Sequence, residues 1–583
     1  MVTIFDIEAN GKLEDVTEIH CIAVANDGRV KLFGPDEIKQ GIEHLSNSDM
    51  LVGHNILCYD LPALAKTYGF KWQGKVFDTL NVSRLIYTNL FDIDISNREI
   101  QPKFYGKHSL ESWGHRLGEY KGDFHGPWDE YTSEMGEYCK QDALVTAKLY
   151  DKLVSKNYSK EAIEIEHEFQ KLIHIQETNG ILFDTKTAEE LAGRVGKDID
   201  DLKRKLSSYL QVRIRRGGVV VPKRNDRKLG RRRGCSYNKI SFDDPNPGSR
   251  SQVVQFFKQK YGWEPNVFTD KGNPKVDDEV LRGLKYPEAS EFGDLFERIK
   301  IQGYLKTGRN AWTKLVKNGR IHGHVITNGA VTGRCTHSNP NLSQVPSVRK
   351  YLGKECRSLF HAGRGHMIGA DASGLELRML AHYLSRYDGG KYTKEILTGD
   401  IHEANQRAAE LETRDQAKTF IYAFIYGAGN AKLGSIVTGT KDETGNRKIG
   451  SALRESFLSK VEGLRDLIRD VQNQADKNKY LRSLDGRHLH IRSNHKALNT
   501  LLQGGGAVVM KKANIIFWET NWECQQVLNI HDEWEVVTNL PMSHCEMIGE
   551  GMVDSIVKAG EYFKLNIPLD GEYRIGKNWM EVH

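Results

Sequence analysis

The chain has 583 residues, too many for one hydrophobic core, and its length alone points to about three to five domains. Lys and Arg exceed Asp and Glu by only six and the apolar and charged fractions are ordinary for soluble globular protein, so nucleic-acid binding is permitted rather than demanded. Eight cysteines (21, 58, 139, 235, 335, 356, 524 and 545) form no Cys-x-x-Cys pair, which argues against zinc and disulfide frameworks and for a reduced, intracellular protein. No apolar run reaches membrane-spanning length, and Met1 to Asp6 carries no basic leader.

Residues 1 to about 155 read as alternating strands and helices. Val2 to Ile7 and Ile19 to Ala25 have the pattern of strands in a mixed sheet, and Glu134 to Leu153 that of a helix closing the unit. Asp6 and Glu8 are two apart on the first strand and so project from one face; Tyr138 and Asp142 are four apart on the helix and share a face. Asp60 closes the segment His54 to Asp60. Four clustered carboxylates repel unless cations neutralise them, and two divalent ions would do so. With Tyr138 orienting a water, that is the chemistry of two-metal phosphodiester hydrolysis. Residues 160 to 210 are helical in pattern, with two glycine breaks. Between Arg213 and Arg233 stand ten Lys or Arg and one acid, Asp226, followed by Asp243-Asp244-Pro245-Asn246-Pro247-Gly248, which predicts a basic loop. Helical patterning returns over 251 to 317, and strand-like or irregular segments run on to about 370.

Asp371 ends the apolar run Met367 to Ala370 and is predicted at the tip of a strand; residues 374 to 480 are mostly helical. Within them Thr413 is a plausible N-cap, and Arg414, Lys418, Tyr422 and Tyr426 recur at four-residue spacing along one helix face. Two cations there suit β- and γ-phosphates; two aromatics suit a base, its sugar and a template. Val527 to Val537 reads as a hairpin with Asp532 near its turn. Carboxylates from two separate strand ends can pinch two magnesium ions, one activating a primer 3′-hydroxyl and the other steadying a triphosphate and its leaving pyrophosphate. Any one of these features alone is an ordinary turn acid or solvated helix face; their order along one chain is what carries information.

Asp371-Ala372-Ser373-Gly374-Leu375-Glu376-Leu377-Arg378 resembles motif A of the family A DNA polymerases. Arg414-x3-Lys418-x3-Tyr422-x3-Tyr426-Gly427 resembles their motif B, and His531-Asp532-Glu533 their motif C. Thr332-Gly333-Arg334, Pro340-Asn341-Leu342, Gln344-Val345-Pro346 and Asn499-Thr500-Leu501-Leu502-Gln503 extend the match. It covers nearly the whole chain and is closest to the replicative enzymes of short-tailed phages. The four amino-terminal acids with Tyr138 resemble the DEDDy proofreading exonucleases.

The resemblance implies a mixed α/β fold: an RNase H-like 3′–5′ exonuclease domain (1–155), then a right hand. Its thumb would span 156–320 with a short basic loop at about 211–250, its palm 321–400 and 486–583, and its fingers 401–485. Asp371 and Asp532 would hold metal with the Ala372 carbonyl, and Glu533 would support them. Glu376 would lie under the incoming sugar and reject a 2′-hydroxyl. His402, Arg414 and Lys418 would grip the triphosphate, Tyr422 would pack by the sugar, and Tyr426 would guard the template base. Arg334, Asn499 and Gln503 would touch the minor groove, where acceptors are shared among base pairs, and His531 the primer end. Asp6, Glu8, Asp60 and Asp142 would hold the editing metals. Two Mg2+ ions would serve each site, with Mn2+ able to substitute.

The implied partners are primer–template DNA, deoxynucleoside triphosphates and a candidate helicase-primase. The chain would act as a monomer in the cytoplasm of an infected bacterium. Phage relatives recruit thioredoxin through a long thumb insertion. The corresponding region here is much shorter, so thioredoxin is not an expected partner. A gap-filling polymerase–nuclease shares the same motifs, and the absence of a 5′-nuclease segment before Asp6 leans towards replication. Glu376 and the leading acids argue against a single-subunit RNA polymerase.

Overall fold

The computed structural model describes residues 1–583 apart from Asp27, Asp270, Lys271, Asp400 and Lys441; the side chains of Arg213, Arg215, Arg216, Ile401, His402 and Ala404 also lie outside the described residues. The chain divides into two compact units, one of residues 1–181, 323–344 and 362–583, the other of 182–322 and 345–361.

The first unit begins with a five-stranded sheet. Its spatial order is Arg29–Phe33, Ile19–Asn26, Val2–Ala9, Met50–Gly53, Lys75–Asp78, antiparallel on one side of Val2–Ala9 and parallel on the other. The helix Ser133–Val154, capped by Thr132, lies on this sheet through small residues. Cys139 and Ala143 pack against Cys21, Ala23 and Ala25, so the helix approaches closely. That closeness brings Asp142 to the strand carrying Asp6 and Glu8.

A second, antiparallel sheet in the same unit runs Gln525–Ile530, Glu533–Thr538, His366–Ala372, Gly571–Gly576. The helices Leu375–Asp388, Ala497–Glu519 and Met542–Tyr562 share its apolar core. Gly504, Gly505 and Gly506 lie inside the helix Ala497–Glu519, where a Cβ at 504 would come within 2.4 Å of Leu489. They permit close packing within a helix and form neither hinge nor turn. Five helices between Ile401 and Asn478 complete the unit.

A buried ionic knot ties the helix Lys160–Asn179 to this core. Glu166 accepts from Arg487 at 2.5 Å and from Lys511, and Arg487 Nε donates to Asp485 at 2.8 Å. Burial alone would raise the Glu166 carboxyl; the two cations overcome that and hold it at about 2.

The second unit is built on the helices Thr185–Ser207, Arg250–Tyr261 and Ala289–Gln302, with Phe256, Phe257, Tyr261, Tyr286 and Phe292 stacked between the last two. One expectation is corrected here. The basic segment is not a loop throughout: Arg213–Val220 and Tyr237–Asp243 pair as an antiparallel hairpin. Apolar residues set opposite one another across the strands, Ile214 with Phe242 and Val220 with Tyr237, supply the β-forming pairs that the charge count concealed. Among the described residues, no helix is long and apolar enough to cross a membrane, and all eight cysteines are free.

Candidate active site

The polymerase-like acids meet at one end of the antiparallel sheet. Asp371 is the penultimate residue of its strand and stands opposite Glu533 on one neighbour and Glu572 on the other. Asp532 occupies the turn between Gln525–Ile530 and Glu533–Thr538, and its carbonyl accepts the Ala372 N–H at 3.1 Å. His531 makes that turn with φ of 60°, the left-handed conformation a two-residue reversal needs.

Asp371 is exposed, but the protein around it still lowers the dielectric. Desolvation, then Asp532, Glu533, Glu376 and Glu572, push its carboxyl up to about 8. Asp532 is half-buried; desolvation and Glu376 raise it to about 6, against the pull of Arg334. Asp371 is raised by Asp532, and Asp532 by Glu376 and Glu533, an excess of negative charge that a divalent cation would offset.

The helix Arg414–Ile425 begins on a capping box, Thr413 with Gln416. Ala417, Phe420, Ile421, Phe424 and Ile425 are buried, which turns Arg414 and Lys418 to solvent and leaves Tyr422 half-covered. Tyr426 caps the helix end and its hydroxyl donates to Glu376 Oε1 at 3.0 Å. Arg334 Nη2 donates to the same oxygen at 3.1 Å, so the buried Glu376 is held from two sides. Burial, Glu376, Asp532 and Asp371 all raise the Tyr422 hydroxyl, which places that ring beside the acids. Asn499 and Gln503 lie one turn apart on the helix Ala497–Glu519, half-buried, with Asn499 Oδ1 unpartnered among the described residues. The His402 side chain, predicted to grip a triphosphate, lies outside the described residues.

The amino-terminal acids also converge. Asp6 and Glu8 share a strand face, and their ligand atoms lie within 4.8 Å of each other and of the Cys139 sulfur. Asp60 opens the helix Asp60–Tyr68. The segment before it is pinned by Asp78, whose carboxylate accepts the N–H groups of Asn55 at 3.0 Å and Leu57 at 3.1 Å. Burial and repulsion raise the Glu8 carboxyl to about 9, with Asp142 the largest charge acting on it. Desolvation raises Asp60 to about 7 and Asp142 to about 6. Asp142 Oδ1 has no partner, although Asp142 is only 3 % exposed. An orphaned, buried carboxylate oxygen among three further acids is a donor set that fits a divalent cation.

Residues 228–581 match the family model described as DNA polymerase family A. The chain belongs to that family. It is 35 % identical to the DNA-directed DNA polymerase of Enterobacteria phage T3 and 34 % identical to that of Escherichia phage T7, in each case over 99 % of both chains. The aligned span is 709 positions against 583 residues here, so these relatives carry segments this chain lacks. The POL domain of Pol1 from M. smegmatis, solved in complex with DNA primer-template and dNTP, shares the fold with a TM-score of 0.72 at 19 % identity, covering 99 % of this chain and 96 % of that one. The protein is a DNA-directed DNA polymerase, and polymerases of family A generally use divalent metal ions.

Three contacts, two at the polymerase-like acids and one at the amino-terminal acids, escape a reading of the sequence. The double hold on Glu376 by Arg334 and Tyr426 joins three segments remote in sequence, and no local pattern announces it. His583 Nδ1 lies 2.6 Å from Glu533 Oε2, a contact between the two ends of the last 50 residues. Lys121 donates to Asp142 Oδ2 from a segment without periodicity.

Proposed function

We propose that this polymerase extends primers by a two-metal mechanism and edits them at the amino-terminal acids, as the replicative polymerase of a bacteriophage. Asp371 and Asp532 would hold the polymerisation metals with the Ala372 carbonyl, and Glu533 would support them. When bound, such ions would lower the pKa of the primer 3′-hydroxyl and offset charge on the triphosphate. The chain's own residues do the rest. Arg414, Lys418 and His402 take phosphate oxygens, Tyr422 and Tyr426 pack against sugar and template, and Glu376 excludes a 2′-hydroxyl. Arg334, Asn499, Gln503 and His531 hold the primer–template. The observation that carries this reading is the convergence of Asp371, Asp532, Glu533 and Glu376, which raises both aspartates, with Tyr422 of the helix bearing the exposed Arg414 and Lys418 beside them. Fingers closure would bring those two cations onto a correct nucleotide.

Editing rests on Asp6, Glu8, Asp60 and Asp142 as ligands of two Mg2+ ions, or Mn2+ in their place, with Tyr138 orienting water. The corresponding division is exonuclease 1–155, thumb 156–320, palm 321–400 and 486–583, and fingers 401–485. The enzyme would work as a monomer in the infected bacterial cell, with a helicase-primase ahead of it. The shorter chain favours synthesis without thioredoxin, the basic hairpin connection (Lys223, Arg224, Arg227, Lys228, Arg232 and Arg233 exposed, Arg231 half-buried) touching duplex phosphates in a salt-sensitive, sequence-indifferent way.

Primer extension on a long primed single strand, with and without thioredoxin, tests the reading. Long products without thioredoxin are expected. Products that lengthen only with thioredoxin would remove the self-sufficiency claim, and primer degradation without extension would overturn the whole assignment.

A further inference from the structure

The acid cluster at the amino terminus contains a cation that no polymerase or exonuclease motif of this chain includes. Lys121 lies in the segment between the helices Leu110–Leu117 and Ser133–Val154, and its ammonium donates to Asp142 Oδ2. The same nitrogen stands 4.6 Å from the centroid of the Tyr138 ring. It acts on the cluster as a whole, lowering the carboxyls of Asp6 and Glu8 against the forces that raise them.

Lys121 is delivered there by fixed backbone. From the helix that bears Asp142, Gln141 Nε2 donates to Glu119 Oε1 at 2.8 Å and to the Tyr120 carbonyl at 2.9 Å. Lys148 on that helix pairs with Glu119 at 2.5 Å. A chain tied down on the two residues before Lys121 holds its ammonium in one place.

The rest of the segment is aromatic. Phe124 lies 4.9 Å from Trp128 and 5.8 Å from Tyr138, and Trp128 lies 6.3 Å from Tyr138. His20, next to the strand position opposite Glu8, holds the Trp128 carbonyl at 3.0 Å. Trp128 is 39 % exposed and Tyr120 64 %, so ring faces remain open to solvent beside the acids. Rings interleaved with a fixed cation are what an unpaired strand requires, because every base has a face to stack and every linkage a phosphate to bind.

We propose that Lys121 with Phe124 and Trp128 forms a single-strand grip at the editing site, the ammonium taking the phosphodiester to be cut and the rings taking the terminal bases. This rests on the editing role assigned to the neighbouring acids. A phosphodiester anion would compete with Asp142 for Lys121, and with Asp142 engaged by a divalent cation the ammonium would be free to bind it. In hydrolysis a water oxygen forms a bond to phosphorus as the bond from phosphorus to the 3′-oxygen breaks, and the proton the water gives up ends on the leaving 3′-oxygen. The extra charge on the phosphoryl oxygens is met by the lysine, which keeps its protons.

The test is binding of a short deoxyoligonucleotide with 2-aminopurine as its 3′ base, with calcium replacing magnesium to hold hydrolysis off. Lys121→Met is expected to weaken binding about tenfold and to reduce the slope of log affinity against log salt by about 0.7, the share of one single-strand phosphate. Trp128→Ala is expected to weaken binding with the slope unchanged and to relieve 2-aminopurine quenching. With magnesium, Lys121→Met should slow single-strand hydrolysis, Lys121→Arg should restore part of it, and extension of a matched primer should be unaffected. Unchanged binding and quenching in both variants would overturn the proposal. So would a Lys121→Met effect confined to the magnesium concentration required, which would make the lysine a counter-ion of Asp142 only. If the wild type binds the probe as expected but cannot hydrolyse it, the editing assignment fails while the grip stands.

Discussion

The two acid clusters of this polymerase solve one electrostatic problem behind different walls. Asp371 is exposed and Asp532 half-buried, and the cation acting on Asp532 is Arg334, which also holds Glu376. At Asp6, Glu8, Asp60 and Asp142 three of the four acids are buried, and a lysine is already among them. The proposed polymerisation site, which would take up a triphosphate and pass on a duplex at each cycle, would need room above its acids. The proposed editing site, which would take one strand end, could enclose them. Glu166 is the contrasting case. It is more deeply buried than any of these acids, yet is lowered to about 2, because Lys511 and Arg487 balance its charge permanently. Imbalance, rather than burial, separates the reactive carboxylates from the structural one.

Removing a proposed polymerisation ligand should have the largest effect. Asp371→Ala or Asp532→Ala is expected to lower single-nucleotide incorporation by about a thousandfold or more, several kcal/mol of transition-state stabilisation, while single-strand degradation persists. A rapid-quench assay of both reactions checks this.

Glu166→Gln should act on stability instead. Leaving Lys511 and Arg487 under-compensated in the core is expected to cost about 3 kcal/mol, seen as a lower thermal midpoint with specific activity kept below the transition. A variant as stable as the wild type would show that the knot is not under electrostatic demand.

The raised acids give a pH signature. Below about pH 4 these carboxyls are protonated in folded and unfolded chains alike. As pH rises towards the values of about 8 for Asp371 and 9 for Glu8, the unfolded chain ionises first, so the metal-free fold loses stability across that window. Bound cations offset the loss. Magnesium should therefore raise the melting temperature more at pH 8 than at pH 5, and equal shifts would contradict the imbalance argued above.

The smallest effect concerns Tyr422. Its hydroxyl lies by the acids and can stand in for an absent 3′-hydroxyl of the nucleotide, so Tyr422→Phe should increase discrimination against dideoxynucleotides about tenfold, roughly the worth of one hydrogen bond. Incorporation ratios from competition assays measure it.

Much of this was legible in the sequence because the relevant spacing is local. The period of four from Arg414 to Tyr426 and the capping box at Thr413 translate directly into a helix with one solvent face. Asp371 at the end of an apolar run and Asp532 at a hairpin turn are likewise local signals. The hairpin begun by Arg213–Val220 is hidden in the sequence because ten Lys or Arg in 21 residues outweigh a few apolar cross-strand pairs whose partners lie more than 15 residues away. Lys121, the Arg334–Glu376–Tyr426 hold and the Glu166 knot depend on tertiary contact, for which the chain offers no periodic trace.

The central claim is that two separately charged acid clusters run two separate reactions. One rapid-quench experiment on a labelled primer–template with a mismatched end tests it most directly, comparing wild type, the Asp6→Ala/Glu8→Ala double variant and Asp532→Ala. The double variant should extend matched primers at the wild-type rate and leave the mismatch uncut, and Asp532→Ala should trim the mismatch and then stall. Loss of both reactions in either variant, with the fold intact by melting, would contradict the account.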